Sequence, residues 1–481
     1  MQNLLGALAT PPEILRLLAR IPGLYVVGGF LRDAWWGSAT KDIDLAAAGP
    51  LEPVLEQVQA VLGASSFELN KRFASHRLCH SGWEVDITPL HDDGLSADID
   101  RRDYTINALA VPVHKLGAGV SPEDITCHGR TFDDLAGRRL RMVSPGNLAD
   151  DPVRILRGYR LQATHGLAVE ALTRGAWRDL AGNLTESAQE RLHEELTRLF
   201  ACPGIAGVIR DCGDDGVLWE LFPALRETTT CEQNNYHDRD TWLHTLAALE
   251  ALDELLGSLP DGLGRWAGEI QAAWDEPVSG AATAGALTRL ALLLHDIGKP
   301  ATREVQPDGR ITFHNHQDTG AEMISPVLDG LKFAVSERDF IVMQVKEHLR
   351  LGFYSDHLPL SKRLVYRYLR RLGKWTPAAV LHALADCRAT LGMADNGWER
   401  HIEAAVQLLN NYFSRSTAAA PPLFLDGNEI MELLQIKPSR IIGILKNAML
   451  EATAVGDVTD RDSAKEFIRQ AYQKIRNDLP N

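Results

Sequence analysis

The sequence has few of the features that mark secreted, membrane or zinc-finger proteins. Its six cysteines are scattered, and none forms the Cys-x-x-Cys spacing of structural zinc sites, which indicates a reducing compartment. No apolar run approaches the roughly 20 residues that span a bilayer. Residues 1–10 lack the basic start of a signal peptide. These absences predict a cytoplasmic protein with no membrane partner.

The chain also lacks an excess of positive charge. Its 50 Lys and Arg against 64 Asp and Glu give a net charge of −14. This balance excludes a nucleic-acid binder with basic charge over its whole surface, although it permits local basic segments. With 481 residues, of which 45% are apolar, the chain is long enough for roughly three packed domains.

Hydropathy patterns divide the chain into a mixed first part and a helical remainder. Short apolar runs alternate with helical stretches, as at Leu24–Val27 and Trp83–Ile87, and predict a small α/β head. From about Asp150 onward, apolar residues recur at helical spacing, as in the series from Leu243 to Leu252. The predicted fold class is α+β, with a mixed α/β head followed by an all-helical remainder.

Acidic residues on two predicted strands suggest a metal site in the head. Asp42 and Asp44 are two residues apart on a strand, so both carboxylates face the same side and repel each other unless a cation lies between them. Asp86 lies on a second predicted strand. Three acids on adjacent strands suit Mg²⁺-dependent nucleotidyl transfer, in which metals activate a 3′-hydroxyl and neutralise pyrophosphate. A surface acid at a strand edge is the alternative for Asp86.

Two glycines precede this acidic pair. Gly28 and Gly29 lie where the strand Leu24–Val27 turns into a predicted helix. Glycine lets the backbone approach a phosphate closely, and the free N–H groups of a helix N terminus bind anions. The Gly-Gly pair is also common in ordinary tight turns, so the hypothesis of a phosphate site depends on Arg32 and the acids that follow.

Four ordered motifs resemble the class II tRNA nucleotidyltransferases and the bacterial poly(A) polymerases. They are Val27–Asp33 with Asp42–Asp44, the segment Arg101–Leu109, the base-selecting helix at Asp150–Arg157, and the neck motif of Ser187–Arg191 with Glu194–Leu196. All four lie before residue 200, in the family's order, which makes the match specific.

The resemblance implies roles for the motif residues of the head. Asp42 and Asp44 would hold Mg²⁺, with Asp86 as a third catalytic acid. The residues implied to bind the triphosphate or the nucleotide's sugar and phosphates are Gly28, Gly29, Arg32, Arg102, Asp103 and Asn107.

The third motif is implied to select the incoming base. Asp151 and Arg154 are three residues apart and would share a helix face, where a carboxylate and a guanidinium can pair with the Watson–Crick edge of cytosine or adenine. Arg157 would steady the pair or the triphosphate. An ordinary amphipathic helix with an ion pair is the alternative reading of this segment.

The segment between Asp86 and Arg101 is short. Only 14 residues separate the two, whereas members that add the whole CCA sequence carry a longer flexible loop that is associated with switching from C to A addition. Enzymes that add only two cytidines resemble the short form. The implied activity is untemplated addition of CCA, or only CC, to tRNA from CTP and ATP, by Mg²⁺-dependent attack of the 3′-hydroxyl on the α-phosphate.

A second set of residues resembles the HD phosphohydrolase superfamily. The adjacent His295 and Asp296 follow an apolar helix, with His244 before them and Asp386 after them. Imidazoles and carboxylates from separate helices suit a second divalent metal, Mn²⁺, Fe, Ni²⁺ or Mg²⁺, which would activate water against a phosphoester. A purely structural HD domain is the alternative.

Two further histidines have the spacing of extra ligands in binuclear HD proteins. These are His316 and His348. The alternative is that both cap helices or lie in the core.

One segment concentrates positive charge. Six basic residues lie within the 13 positions from 362 to 374, with no acid among them; we call them the basic strip, Lys362, Arg363, Arg367, Arg370, Arg371 and Lys374. A helix with this composition could follow RNA phosphates. A solvated helix face is the alternative.

The predicted domains are a nucleotidyltransferase head at 1–145, a helical neck at 146–225 that selects the base and binds RNA, an HD domain at 226–413 and a helical tail at 414–481. A poly(A) polymerase is the nearest alternative. A metal phosphohydrolase with a nucleotide-sensing head is an alternative from another class, and it predicts hydrolysis without nucleotide incorporation. The sequence does not indicate an oligomeric state.

Overall fold

A computed structural model describes residues 2–70, 74–90, 93–117, 119–233, 240–391, 396–415 and 422–478. The chain divides into two compact units. The first comprises Met1–Cys202 with Val208–Leu221, and the second comprises Pro203–Gly207 with Phe222–Asn481. This division is coarser than the four predicted domains, which stay predictions. The small residues and prolines of segment 414–422 predict a linker between the HD domain and the tail, and this segment lies largely outside the described residues.

A seven-stranded sheet forms the centre of the first unit. Its strands are β1 (Leu24–Val27), β2 (Asp42–Ala47), β3 (Ser66–Asn70), β4 (Ser75–His80), β5 (Trp83–Pro89), β6 (Leu109–Pro112) and β7 (Thr126–Cys127). The order across the sheet is β3-β4-β5-β2-β1-β6-β7. Only the β2–β5 pair is parallel in this sheet, and the other described pairs are antiparallel.

The sheet separates an apolar face from a polar one. In β2, Ile43 and Leu45 are buried while Asp42 and Asp44 are exposed, because alternate residues of a strand face opposite sides. The apolar set anchors the strand in the core, so the carboxylates lie on the other side. A short parallel pair, β8 (Arg139–Leu140) and β9 (Ala168–Val169), lies apart from this sheet.

Helices complete the first unit. They are α1 (Gln2–Ala9), α2 (Glu13–Leu18), α3 (Gly29–Trp36), α4 (Leu51–Leu62), α5 (Leu95–Asp100), α6 (Thr131–Ala136), α7 (Pro145–Asp150), α8 (Val153–His165), α9 (Ala171–Leu180), α10 (Gln189–Phe200), α11 (Ala206–Asp214) and α12 (Val217–Leu221). The tightest packing is at Gly158 of α8, where an added Cβ would lie 2.2 Å from the Tyr104 hydroxyl and 2.4 Å from the Trp177 ring. Only glycine lets α8 approach this closely, and the Tyr104 hydroxyl donates to the Arg154 carbonyl at 2.7 Å.

The second unit is helical. Its helices are α13 (Thr241–Gly257), α14 (Ala267–Asp275), α15 (Ala284–Leu294), α16 (His316–Gly330), α17 (Val335–Glu347), α18 (Arg350–Ser355), α19 (Lys362–Leu372), α20 (Thr376–Leu391), α21 (Asn396–Arg415), α22 (Gly427–Leu434), α23 (Arg440–Val455) and α24 (Arg461–Asp478). Every residue of α15 is buried, and α15 contacts α13, α17 and α20. No helix of the described ranges is both long and apolar enough to cross a bilayer.

Two short hairpins interrupt the helices of the second unit, and the sequence did not predict these hairpins. They pair β10 (Pro277–Ser279) with β11 (Ala282–Thr283), and β12 (Arg303–Val305) with β13 (Ile311–Phe313). Each turns at a glycine with positive φ, Gly280 at 51° and Gly309 at 84°. Strands this short leave no periodicity to detect. The α+β class, with a mixed head followed by a helical region, is confirmed.

Candidate functional site

The register of the sheet brings the acids of the head together. In the parallel pair, Asp44 of β2 lies opposite Asp86 of β5, and Asp42 lies opposite Glu84. Residues opposite one another in a sheet point to the same face. The structure therefore places the three predicted acids on one face, and we call this region the head site.

The glycine turn closes onto the same face. Gly28 has a φ of 68° and lies at the end of β1, where the preceding Val27 pairs with Asp44. An added Cβ on Gly28 would lie 2.9 Å from Nη1 of Arg102 and 3.6 Å from Oδ2 of Asp44. The lack of a side chain thus keeps space open between the backbone, a guanidinium and a carboxylate.

The surroundings of Asp44 disfavour its negative charge, and a bound cation would stabilise that charge. Its side chain is open to solvent, yet the surrounding protein desolvates the carboxylate and raises its pKa above the ordinary value. The negative charges of Asp86 and Asp42 raise this pKa further, while Arg102 opposes them. Oxygen ligands with room for water are what Mg²⁺ prefers, so the residues fit this ion.

Asp86 has a partner within the chain. Arg77 of β4 donates to both Asp86 carboxylate oxygens, at 2.7 and 2.8 Å, and also contacts Glu84 at 2.7 Å. Arg77 was missed from the sequence, because only the register of β4 against β5 reveals that it lies opposite Asp86. Asp86 is thus ion-paired with Arg77 within the chain.

A chain of polar contacts connects the second motif to the neck. Arg32 donates to Asn107 at 2.7 Å, and Asn107 donates to Asp103 at 3.1 Å. Arg157 contacts the second oxygen of Asp103 at 3.3 Å and Glu195 at 3.0 Å. The structure therefore brings four of the predicted nucleotide-binding residues into one network, which Glu195 of α10 completes.

Both carboxylates of this network are held ionised. Burial alone would raise the pKa of Asp103, but the positive charges of Arg157 and Arg154 keep it below its ordinary value. Burial opposes ionisation of Glu195 in the same way, and Arg157 and Arg160 again lower the pKa. The network is thus a preformed set of alternating charges.

The base-selecting segment differs from its prediction. Helix α8 begins at Val153, so Asp151 lies in the turn before the helix and does not share a helix face with Arg154. Pro152 occupies the N-cap position and sets where the helix begins. The two side chains nevertheless meet, with Nε of Arg154 3.4 Å from Asp151.

Asp151 has a second and closer partner. Arg191 of α10 donates to both of its oxygens at 2.7 and 2.8 Å. Burial raises the pKa of Asp151, but Arg191 and Arg154 outweigh it and hold the pKa below its ordinary value. Arg191 belongs to the quoted neck motif, yet no role was predicted for it because the contact joins residues far apart in sequence.

The second unit gathers all six histidine and aspartate residues considered as metal ligands. They form two groups whose ligand atoms lie within 4.8 Å of one another, His244 with His295 and Asp386, and Asp296 with His316 and His348. We call this region the HD site. His244 lies on α13 and Asp386 on α20, while the other members follow α15, begin α16 or follow α17.

The nitrogen and oxygen atoms of the HD site lie within hydrogen-bond distance of one another. Nε2 of His244 lies 2.9 Å from Oδ1 of Asp386, and Nε2 of His316 lies 3.3 Å from Oδ1 of Asp296. The two Nε2 atoms of His316 and His348 are 3.3 Å apart. Lone pairs that point at one another in this way suit a shared cation.

Three of these imidazoles are oriented by the same device. Each Nδ1 faces the backbone carbonyl three residues earlier, at 2.7 Å from His295 to Leu292, 2.9 Å from His316 to Phe313 and 2.6 Å from His348 to Val345. A carbonyl only accepts, so Nδ1 carries a proton and Nε2 faces the site, where it can bind a cation in place of a proton. This is the arrangement of metal-ligating histidines.

Electrostatics also favour a cation in the HD site. Nε2 of His295 is buried and lies 3.2 Å from Oδ2 of Asp296 and 3.6 Å from Oδ1 of Asp386. Burial disfavours a protonated His295, but the carboxylates of Asp296 and Asp386 outweigh it and raise its pKa to about 10. Lys299 supplies one positive charge, 2.7 Å from Asp296. The donor set fits a divalent transition metal.

The basic strip lies on α19 and is largely paired within the chain. Its contacts are Arg363 with Glu451 and Asp457, Arg367 with Glu451, Arg370 with Asn447, Arg371 with Glu347, and Lys374 with Glu276. Most of these side chains remain about half exposed. The strip is thus less positive than its composition suggests, and its role in RNA binding stays a prediction.

Two family models match parts of the chain. Residues 244–368 match the HD domain family, and residues 166–228 match the family described as the probable RNA and SrmB-binding site of polymerase A. One chain thus combines an HD domain, a segment similar to an RNA-binding region of polymerase A and a head with paired carboxylates.

Relatives specify the family. The chain is 31% identical over 461 residues to the A-adding tRNA nucleotidyltransferase of Deinococcus radiodurans, which covers 93% of this chain and 95% of the relative. It is 32% identical over 452 residues to the CC-adding tRNA nucleotidyltransferase of Thermus thermophilus, which covers 92% of each. The chain therefore belongs to the tRNA nucleotidyltransferase family, and the predicted enzyme class is confirmed.

Solved structures share the fold. A CCA-adding enzyme in complex with CTP superposes with a TM-score of 0.59 and 20% identity, covering 100% of this chain and 98% of the other. The Thermotoga maritima CCA-adding enzyme in complex with tRNA gives a TM-score of 0.57 and 19% identity, with 98% of each chain covered.

Proposed function

We propose that this tRNA nucleotidyltransferase adds cytidines, and not the terminal adenosine, to tRNA 3′ ends. CTP is the donor, and Asp42 and Asp44 hold Mg²⁺. We place the activity in the cytosol, a location supported by the six cysteines, all of which are free thiols.

The observation that carries cytidine specificity is the short connection after β5. The strand ends at Pro89, and α5 occupies Leu95–Asp100 directly before the second motif. Arg102 contacts Asp98 of α5 at 3.0 Å, which fastens the connection to the motif. In the family, a longer flexible loop at this place is associated with the switch from C to A addition. The short helical connection therefore supports an enzyme that stops after CC.

The chain's own residues bind and orient the nucleotide. Arg154 and Asp151 offer a donor and an acceptor to the Watson–Crick edge of cytosine, with Arg191 holding Asp151 ionised. Gly28 leaves space for the triphosphate beside Arg102. Mg²⁺, when bound, activates the 3′-hydroxyl and neutralises the leaving pyrophosphate.

One assay tests the proposal. A tRNA that lacks its three terminal nucleotides and a tRNA that ends in CC are each incubated with CTP alone, ATP alone or both, and the products are sized on a gel. We expect two cytidines on the first tRNA and no addition to the second. Addition of a single A to the tRNA ending in CC would contradict the proposal and indicate an enzyme that adds CCA or only A.

Other outcomes of the assay identify the alternatives. A long run of A residues would indicate a poly(A) polymerase. Absence of incorporation by the native protein would favour a nucleotide-sensing head. Asp42→Ala serves as the inactive control, because it removes one of the two proposed Mg²⁺ ligands.

A second activity is proposed for the HD site, hydrolysis of phosphoesters at damaged or cyclic RNA 3′ ends. The observation that favours it is the set of imidazoles whose Nε2 atoms face two carboxylates. Elemental analysis of the purified chain and hydrolysis of RNA ending in a 2′,3′-cyclic phosphate test the proposal. Absence of bound metal, or an unchanged rate in His295→Ala, would contradict it.

A further inference from the structure

A fifth imidazole lies beside the HD site and takes no part in either ligand group. His382 is on α20, one helical turn before Asp386, so both residues project from the same side of the helix. Its exposed fraction is 0%, equal to that of His295. Neither ring nitrogen has a hydrogen-bond partner in the part of the chain that the structure describes.

The ring contacts one member of each ligand group. Its centroid lies 5.9 Å from that of His295, edge to face at 88°, and 6.1 Å from that of His348, nearly parallel at 17°. His382 thus forms part of the wall that the two groups share.

His382 differs from the ligand histidines in its second nitrogen. The Nδ1 atoms of His295, His316 and His348 all face a backbone carbonyl, which directs each Nε2 toward a cation, whereas His382 has no such contact among the described residues. Its nitrogens also lie outside the two sets of close ligand atoms. His382 is therefore placed to touch what the cations hold rather than the cations themselves.

Leaving both nitrogens unsatisfied is unfavourable for folding. A buried polar group without a partner loses its hydration and gains nothing in return, and an apolar ring of similar size would fill the same space. A neutral imidazole offers one donor and one acceptor.

We propose that His382 is a substrate-contacting residue of the HD site and donates a hydrogen bond to a phosphoryl oxygen of the bound phosphoester. The inference rests on the proposed phosphohydrolase function and adds a protein contact for the substrate's phosphoryl group. No bond is made or broken by His382 itself.

The test measures binding of inorganic phosphate to the full-length chain loaded with Mn²⁺, by titration calorimetry. His382→Phe should weaken phosphate binding about tenfold, the loss of one hydrogen bond to a charged group. Its Mn²⁺ content should match the native protein, and its melting temperature should be no lower. His382→Gln, which keeps a donor, should recover part of the affinity. His401→Phe removes a partly buried imidazole of α21 and should bind phosphate normally.

The outcomes separate the two proposals. If the native protein hydrolyses phosphoesters and folded His382→Phe binds phosphate as tightly as it does, the inference about His382 is wrong while the hydrolase stands. Loss of Mn²⁺ from His382→Phe would make this residue a metal ligand and likewise overturn the inference. If the native protein shows neither hydrolysis nor phosphate binding, both fail. The melting temperature and Mn²⁺ content of each preparation verify that the variant is folded, and His382→Gln provides the test if the phenylalanine variant is not.

Discussion

The head site and the HD site present carboxylates in opposite surroundings. In the head, Asp42 and Asp44 are exposed on a sheet face beside a glycine turn. In the HD site, Asp296 is 2% exposed and lies among imidazoles that have lost contact with water. Carboxylates on an open face leave room for the waters that Mg²⁺ retains when it binds with a nucleotide.

A buried ligand set has different requirements. Carboxylates and imidazole lone pairs removed from water are unfavourable unless a cation binds them, and nitrogen donors favour transition metals over Mg²⁺. The comparison teaches that burial and donor type, more than the number of acids, distinguish an exchanging ion from a resident one. The two sites should therefore respond differently to the same perturbations.

The sharpest test is a pair of variants, one in each site. Asp44→Asn removes a proposed Mg²⁺ ligand, and a metal's charge stabilisation is worth several kcal/mol, so CTP incorporation should fall by about a thousandfold or more. His295→Ala should leave incorporation unchanged and abolish phosphoester hydrolysis. Both activities are measured on each variant with the native protein as reference. Loss of both activities in either folded variant would contradict two independent sites.

Metal exchange should separate the sites next. After treatment with a chelator, Mg²⁺ alone should restore CTP incorporation. Only Mn²⁺, Fe²⁺ or Ni²⁺ should remain with the chain through gel filtration, because the HD site supplies four imidazoles and two carboxylates. Elemental analysis of the filtered protein measures retention, and His295→Ala is the control that should retain less. If the chain retains Mg²⁺ as firmly as Mn²⁺, the proposed preference of the HD site for transition metals is wrong.

Local sequence patterns predicted the positions of the functional acids and histidines well. Alternation in β2 placed Asp42 and Asp44 on one face, and the four residues of the HD resemblance converge, while their roles stay predictions. The α/β head and the helical remainder were also predicted, since long periodic segments carry that information. The short hairpins at Gly280 and Gly309 were missed because three-residue strands show no period.

Partners from distant segments could not be predicted. Arg77, Arg191 and Glu195 engage predicted site residues across strand register or helix packing, and neither is encoded in a local pattern. The basic strip shows the same effect, because its composition reveals the cations while the acids that pair with them lie in distant segments, such as Glu347 of α17 and Glu451 of α23. In both cases tertiary contacts supply partners of opposite charge to a residue whose position the sequence predicted.

Substitution of Asp86, the ion-paired acid of the head, should have a smaller effect on CTP incorporation. Because Arg77 already engages both oxygens of Asp86, we expect Asp86→Asn to lower CTP incorporation by about tenfold, far less than Asp44→Asn, the size of one lost charged hydrogen bond. Single-turnover rates at saturating Mg²⁺ provide the measurement, with Glu84→Gln as the control that removes only the outer contact of Arg77. A loss as large as that of Asp44→Asn would make Asp86 a full metal ligand.

The smallest effect is expected where the basic strip meets α23. Glu451 contacts Arg363 and Arg367, whose side chains are 47% and 57% exposed, and exposed ion pairs are weak enough to be broken by a competing phosphate. Glu451→Gln should release Arg367, while Arg363 keeps its contact with Asp457, and should tighten tRNA binding about two- to threefold at low salt, with a steeper salt dependence. Glu429→Gln makes the same change in net charge at an acid that pairs with Arg461, outside the strip, and is the matched control. Equal tRNA affinities in the two variants, measured by filter binding across a salt series, would show that the strip serves to hold α19 against α23 and does not bind RNA.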